Sequence, residues 1–255
     1  MPAKASKGIR MDHRPDFSGA TVLVVGGSSG IGNGIAQAFR AQGATVHVWG
    51  TRAAAADYAG ADGSNLDGLL YSQVDVADFD AIAAWPVPFD SLDVLVLSQG
   101  MVLYRRAEFQ TAGFRQVVDV NLNSLMACAE KFQPQLAAAN GSLLIISSTA
   151  AFHATIGNPA YGASKTGAMG LTRTLGQAWA PLGIRVNGIA PGMVPTKMTE
   201  VTVKNPARAE ATLKQIPLGR FGSPDDMAGV ALFLASPMAA YVVGQTIIVD
   251  GGLTL

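Results

Sequence analysis

A single cysteine, Cys128, stands among 255 residues. It can close no intrachain disulfide and has no ligand-spaced partner for zinc, so a buried thiol is expected. Charge is also scarce: Asp, Glu, Lys and Arg make up 14% of the chain. An average domain carries about 25%, and the shortfall argues against disorder and for surface covered in an oligomer. Neither sign is in excess, since eighteen Lys plus Arg face eighteen Asp plus Glu. A balanced chain has no global field to hold a polyanion, which excludes nucleic acid and acidic membranes as expected partners. Long hydrophobic runs are missing too. The longest apolar run uninterrupted by proline, Met227–Ala235, falls far short of the roughly 20 residues that span a bilayer. Residues 1–14 mix Lys4, Lys7, Arg10 and Arg14 with polar neighbours and hold no apolar segment. No secretory signal is expected there, and a cytoplasmic location is.

What is present is apolar and ordered by period. Hydrophobic residues make up 49%, enough for one well-filled core. Short apolar runs recur at Thr21–Val25, Thr45–Trp49, Leu69–Val76, Leu92–Leu97, Leu143–Ser147, Ile184–Ile189 and Thr246–Val249. Most are apolar at consecutive positions, as expected of strands covered by helices on both faces. Between them lie helical patterns such as Ile31, Ile35 and Phe39, closed by Gly43. The repeated βαβα order implies α/β architecture: a single-domain, doubly wound, Rossmann-like parallel sheet of about seven strands. Residues 1–17 read as a flexible N-terminal extension and 18–255 as the domain. Within it, 195–224 is polar and holds Pro206 and Pro217. That segment reads equally as a substrate lid or as an ordered helical insertion.

The first strand runs into Gly26-Gly27-Ser28-Ser29-Gly30-Ile31-Gly32 and then a helix. A turn of this kind lets backbone approach a pyrophosphate at a helix N-terminus. No Lys follows it, which argues against a phosphoryl-transferring loop. Further on, Tyr161 and Lys165 stand four residues apart, on one face of a helix. An adjacent ammonium favours phenolate, which would make a phenol useful in acid–base catalysis near neutral pH. Ser147-Ser148 ends the preceding strand-like run, at the sheet edge where open α/β folds bind ligands.

In combination these residues resemble the short-chain dehydrogenase/reductase family over Ser18–Leu255, and within it the 3-oxoacyl-carrier-protein-reductase-like members. The resemblance rests on Gly26, Gly30 and Gly32, on Asn121 in Val120-Asn121-Leu122, on Ser148 thirteen residues before Tyr161, and on Tyr161-Gly162-Ala163-Ser164-Lys165. Further matches are Asp75 in Val74-Asp75-Val76, the run Ala190-Pro191-Gly192-Met193-Val194-Pro195-Thr196, and the ending Val249-Asp250-Gly251-Gly252. Two positions depart from the pattern. Val25 replaces a Thr, and Leu97-Ser98-Gln99-Gly100 replaces an Asn-Asn-Ala-Gly whose amides brace the central strands.

The resemblance implies hydride transfer between a nicotinamide cofactor and a small carbonyl compound or secondary alcohol. Tyr161 would be the general acid/base and Ser148 a hydrogen-bond donor to the same oxygen, with Ser147 as its competitor. Lys165 would hold the ribose and lower the Tyr161 pKa. Asn121 would fix a water behind Lys165, although a side-chain-to-backbone bond reads identically. The cofactor would be held by Gly26, Ser28, Ser29, Gly30, Ile31 and Gly32, and by Thr51, Arg52, Asp75, Val76, Ser98 and Gly100. Tyr161, Lys165, Pro191, Gly192, Val194 and Thr196 complete that set. The substrate would meet His153, Ile156, Met193 and Met198. No carboxylate occupies Gly50 at the end of the second strand, and Thr51 and Arg52 follow it. That favours NADP(H), with NAD(H) the alternative. Ala163, Gly167, Gly170 and Thr174 form a small-residue stripe, and a homotetramer is implied by the family. A dinucleotide-bound regulatory or scaffold protein without turnover is the competing reading.

Overall fold

The computed structural model describes residues 15–255. Residues 1–14, most of the expected extension, lie outside the described residues. Phe17, assigned to that extension, is buried and packs edge-on against Phe39 at 4.8 Å between ring centroids. The packed domain therefore includes it.

Seven strands form one parallel sheet: β1 (Thr21–Val25), β2 (Thr45–Gly50), β3 (Leu70–Gln73), β4 (Val94–Leu97), β5 (Ser142–Ile146), β6 (Arg185–Pro191) and β7 (Thr246–Val249). Their order is β3-β2-β1-β4-β5-β6-β7, with every pairing parallel. Strands with both faces covered need no alternation of polar residues, and β1, β4 and β5 are buried throughout. Successive side chains serve opposite layers. Val22 and Val24 pack beneath α1 (Gly30–Ala41), while Leu23 and Val25 face a core with Leu125, Phe132 and Leu175. Of the helices on that second face, α2 (Phe79–Ala84) is short, α3 (Thr111–Val118) leads into α4 (Ser124–Ala139), and α5 (Pro159–Trp179) carries the Tyr–Lys pair. The remaining helices are α6 (Glu200–Val203), α7 (Pro206–Leu213) and α8 (Pro224–Ala235). A Cβ at Gly34 would meet Pro224 Cβ at 2.4 Å, so glycine is what lets α1 and α8 pack this closely.

All seven expected strands are present, with two differences in detail. The strand expected over 69–76 stops at Gln73, and Val74–Val76 turn into the loop beneath the cleft. The crossover from β2 to β3 holds a 3-10 turn, Ala55–Tyr58, and a loop in place of a helix. Gly60, Gly63 and Gly68 all adopt positive φ there, which an α-helix cannot accommodate. Segment 195–224 contains the 3-10 turn Lys197–Thr199, α6 and α7. Among the described residues no helix is long and apolar enough to cross a membrane. Cys128 is buried as expected, and burial pushes its thiol up to about 12.

Candidate active site

The strand order reverses between β1 and β4, and a cleft opens beyond their carboxyl ends. Its volume is about 670 Å³. The glycine turn forms one wall. Gly26 has φ +74°, and a Cβ on it would meet Gln99 N at 2.8 Å. A Cβ on Gly32 would lie 2.3 Å from Gly26 O, so both positions demand glycine. Ser29 caps α1 in extended conformation, makes no side-chain capping bond, and no acidic residue occupies the first turn. The positive end of the helix therefore faces the cleft without a built-in anion. From the β2–β3 loop, Gly63 O accepts a 2.7 Å bond from Gly30 N–H, and Asn33 Nδ2 donates to Asn65 O at 2.7 Å. Asp62 and Gly63 thereby line the cleft, which nothing in their sequence announced.

The opposite wall comes from β5 and α5. Ser148 and Tyr161 both line the cleft, whereas Ser147 turns inward and donates to Lys165 O at 2.8 Å. Lys165 is buried beneath them. Its Nζ donates to Ile146 O at 2.8 Å and stands 5.8 Å from the centre of the Tyr161 ring. Asn121 sits in a π-helical turn, Asp119–Asn123, between α3 and α4. That widened turn directs its amide to the loop after β4: Oδ1 accepts from Met101 N–H at 2.7 Å, and Nδ2 donates to Met101 O at 2.9 Å. Nδ2 also reaches Ser164 Oγ at 3.2 Å. Of the two departures from the family pattern, Val25 is fully buried in the core. Gln99 Nε2 donates to Ser124 Oγ at 3.1 Å, so its amide ties the loop to α4 in place of bracing the strands.

Burial governs the charges. Desolvation pulls Lys165 down to about 8. The Tyr161 phenol is raised, first by burial and further by the negative charge of Glu108 and by Tyr104, with the Ser148 hydrogen bond opposing. The expected lowering by Lys165 does not prevail, because the loss of water around the phenol outweighs the available partners.

Most residues expected around a cofactor line this one cleft: Gly26, Ser28 to Gly32, Thr51, Val76, Ser98, Gly100, Tyr161, Lys165, Pro191, Gly192, Val194 and Thr196. Arg52 and Asp75 do not. The Arg52 guanidinium lies 4.4 Å over the Tyr58 ring and donates to Asp57 O. Asp75 turns back to accept from Ala77 N–H at 3.0 Å. Of the expected substrate residues, Met198 lines the cleft. His153 and Ile156 lie on the exposed segment after the 3-10 turn Thr149–Ala151, and Ile156 is 94% exposed. Met193 faces a separate small cavity with Arg220 and Asp226. The helical insertion closes the cleft from above through Lys197, Met198, Glu200, Val203 and Lys204, and the Tyr104 hydroxyl donates to Met198 O.

Comparison with known proteins agrees with this geometry. The family model described as enoyl-(acyl carrier protein) reductase matches residues 25–254. The 3-oxoacyl-[acyl-carrier-protein] reductase of Chlamydia muridarum is 36% identical, over 91% of this chain and 96% of its own. The 2-dehydro-3-deoxy-D-gluconate 5-dehydrogenase of Bacillus subtilis is 36% identical, over 92% of this chain and 95% of its own. Among solved structures, the Pseudomonas aeruginosa RhlG/NADP active-site complex superposes with a TM-score of 0.85 at 31% identity, covering 96% of this chain and 100% of that one. A family model matching residues 25–254, and relatives about a third identical over more than nine-tenths of the chain, mean that this chain belongs to the short-chain dehydrogenase/reductase family.

Proposed function

We propose that the chain is an oxidoreductase that moves a hydride between NADP(H) and a small carbonyl compound or secondary alcohol, with Tyr161 as general acid/base. One observation carries the reading: Tyr161 and Ser148 line one wall of the cleft, and the other wall is the N-terminus of α1, which has no side-chain cap and no acidic residue in its first turn. The residues fit a dinucleotide. The glycine turn gives backbone approach and unneutralised helix charge for a pyrophosphate. Gly100 lines the cleft beside Lys165, where a ribose would lie. Bound there, the nicotinamide supplies or accepts the hydride.

The chain's own residues manage the proton. In reduction Tyr161 gives its hydroxyl proton to the developing alkoxide, and Ser148 Oγ–H donates to the same oxygen. A raised pKa suits the phenol to hold that proton until it is needed. Lys165 supplies charge to the ribose side of the cleft, while Asn121 fixes the loop after β4 against α5 through Met101 and Ser164. In alcohol oxidation each role reverses. The lack of an acid at Gly50 and the NADP in the Pseudomonas relative support NADP(H) over NAD(H). Met101, Val102 and Met198 give the cleft an apolar side for the substrate.

The chain is further proposed to work in the cytoplasm as a homotetramer. Ala163, Gly170 and Thr174 lie exposed along α5, where small side chains allow a second copy to approach. Gly167 is used within the chain, since a Cβ there would meet Leu122 Cδ2 at 2.6 Å. Light scattering of the purified protein reads the assembly. Activity is tested by presenting ketones, 3-oxoacyl thioesters, sugars and sterols with each nicotinamide and following absorbance. Tyr161→Phe should lose about 10²–10⁴-fold in turnover and keep its dinucleotide affinity. A variant retaining more than about a tenth of the wild-type rate refutes the assignment.

A further inference from the structure

Glu108 belongs to no motif, yet it is 1% exposed and takes part in three hydrogen bonds. Its Oε1 accepts from Leu103 N–H and from Asn158 Nδ2, each at 3.0 Å, and its Oε2 accepts from Tyr161 N–H at 2.9 Å. A buried carboxylate is costly unless fully partnered, and this one is partnered at both oxygens. Two of its donors belong to the start of α5. Asn158, the N-cap of that helix, makes no capping bond of its own, and no acidic residue stands in the first turn. Glu108, carried on the short 3-10 turn Ala107–Phe109, therefore caps α5 from another part of the chain.

We propose that Glu108 is a positioning residue for Tyr161, fixing the first turn of α5 against the loop after β4 and holding one negative charge beside the phenol. Glutamine could not serve in its place: it accepts at one end and would turn an N–H toward the N–H of Tyr161. The charged and titratable groups facing the phenol are few. Lys165 comes from its own helix, Tyr104 and Glu108 from the segment after β4, and the Ser148 hydroxyl from the end of β5. Among these the Glu108 charge raises the phenol's affinity for its proton, in the same direction as burial. The carboxylate thus biases Tyr161 toward the proton-bearing form that a carbonyl reductase needs.

This inference rests on the proposed acid/base role of Tyr161, and the experiment separates the two. In the alcohol-oxidising direction, kcat should rise with pH as Tyr161 ionises. Glu108→Gln should move that limb down by roughly one pH unit. It should also lower kcat about ten- to a hundredfold through the displaced helix turn. The NADPH dissociation constant should stay unchanged, since Glu108 does not line the cleft. A limb that superposes on the wild type overturns the proposal. If Glu108→Gln does not fold, Glu108→Asp decides, because it keeps the charge and shortens the reach. Lowered kcat at an unshifted limb supports the proposal, and wild-type kcat overturns it. If the wild type turns over no substrate, the proposed function falls. Tyrosinate absorbance, taken as wild type minus Tyr161→Phe and repeated in Glu108→Gln, then reads the ionisation of Tyr161 directly. An unshifted difference curve overturns the role of Glu108.

Discussion

Placing an acid at the end of β2 is the natural way to turn an NADP(H) site toward NAD(H), since a carboxylate there accepts from ribose hydroxyls and repels a 2′-phosphate. In this chain the substitution Gly50→Asp should fail for a steric reason. A Cβ on Gly50 would stand 2.6 Å from both Ser28 Oγ and the Tyr58 hydroxyl oxygen, and 2.8 Å from Ser28 Cβ. Tyr58 cannot easily retreat. It is 5% exposed, its ring meets Tyr71 at 5.7 Å, and its oxygen accepts from Arg52 N–H at 3.3 Å. Ser28 belongs to the glycine turn, where any shift disturbs the pyrophosphate wall. Overpacking of this kind costs about 1–3 kcal/mol. At roughly 2–4 °C per kcal/mol for a chain of this size, Gly50→Asp should melt about 2–12 °C below the wild type. It should lose affinity for NADPH without gaining NADH, as read by calorimetry and fluorescence titration. Tyr58→Phe removes one of the two contacting oxygens, so the double variant should recover part of the melting loss. A Gly50→Asp protein that melts with the wild type and prefers NADH, or strictly additive losses in the cycle, would refute the steric argument.

The position of Arg52 gives a graded expectation. To meet a 2′-phosphate its guanidinium must leave the Tyr58 ring and the Asp57 carbonyl. Arg52→Ala should therefore weaken NADPH toward the low end of a charge-assisted bond, about tenfold, and leave NADH unchanged; equal losses for both exclude the contact. Lys165 has a stability signature of its own. Its folded pKa of about 8 lies below the ordinary 10.5, so between those values the unfolded chain binds a proton that the folded one does not. Stability then rises with pH across that window. Urea unfolding should show the wild type gaining on the order of 1–3 kcal/mol over Lys165→Met between about pH 8 and 10.5, and parallel curves would contradict a buried lysine. The same variant should lose both turnover and dinucleotide affinity.

The sheet was legible because covered parallel strands are written as unbroken apolar runs, and nothing competes with that signal in β1, β4 or β5. Boundaries were less so. Val74 and Val76 are as apolar as any strand residue and are buried, yet their burial serves the floor of the cleft and not a ladder. The missing crossover helix between β2 and β3 was obscured by the alanines at 53–56, whose helical propensity is overruled by the three positive-φ glycines that follow. That loop then does what a helix could not, reaching back so that Gly63 meets Gly30.

The site divides along a physical line. Gly26, Gly30, Gly32, Tyr161 and Lys165 could be read because their relation is local: a turn needs its glycines in sequence, and one helix face needs a spacing of four. His153, Ile156 and Met193 do not line the cleft, since nearness to Tyr161 or to the end of β6 along the chain says nothing about which way a loop turns. Arg52 shows the intermediate case. It follows the end of β2 as expected, but a tyrosine six residues on offers its guanidinium a face to rest against, away from the cleft. Glu108 lies at the far limit. Its donors stand 5, 50 and 53 residues away, and only the parallel order of β4 and β5 brings α5 down beside the loop after β4. A carboxylate whose meaning depends on three separated donors carries no pattern of its own. A buried charge must obtain hydrogen bonds from somewhere, and those of Glu108 end on the backbone of Tyr161.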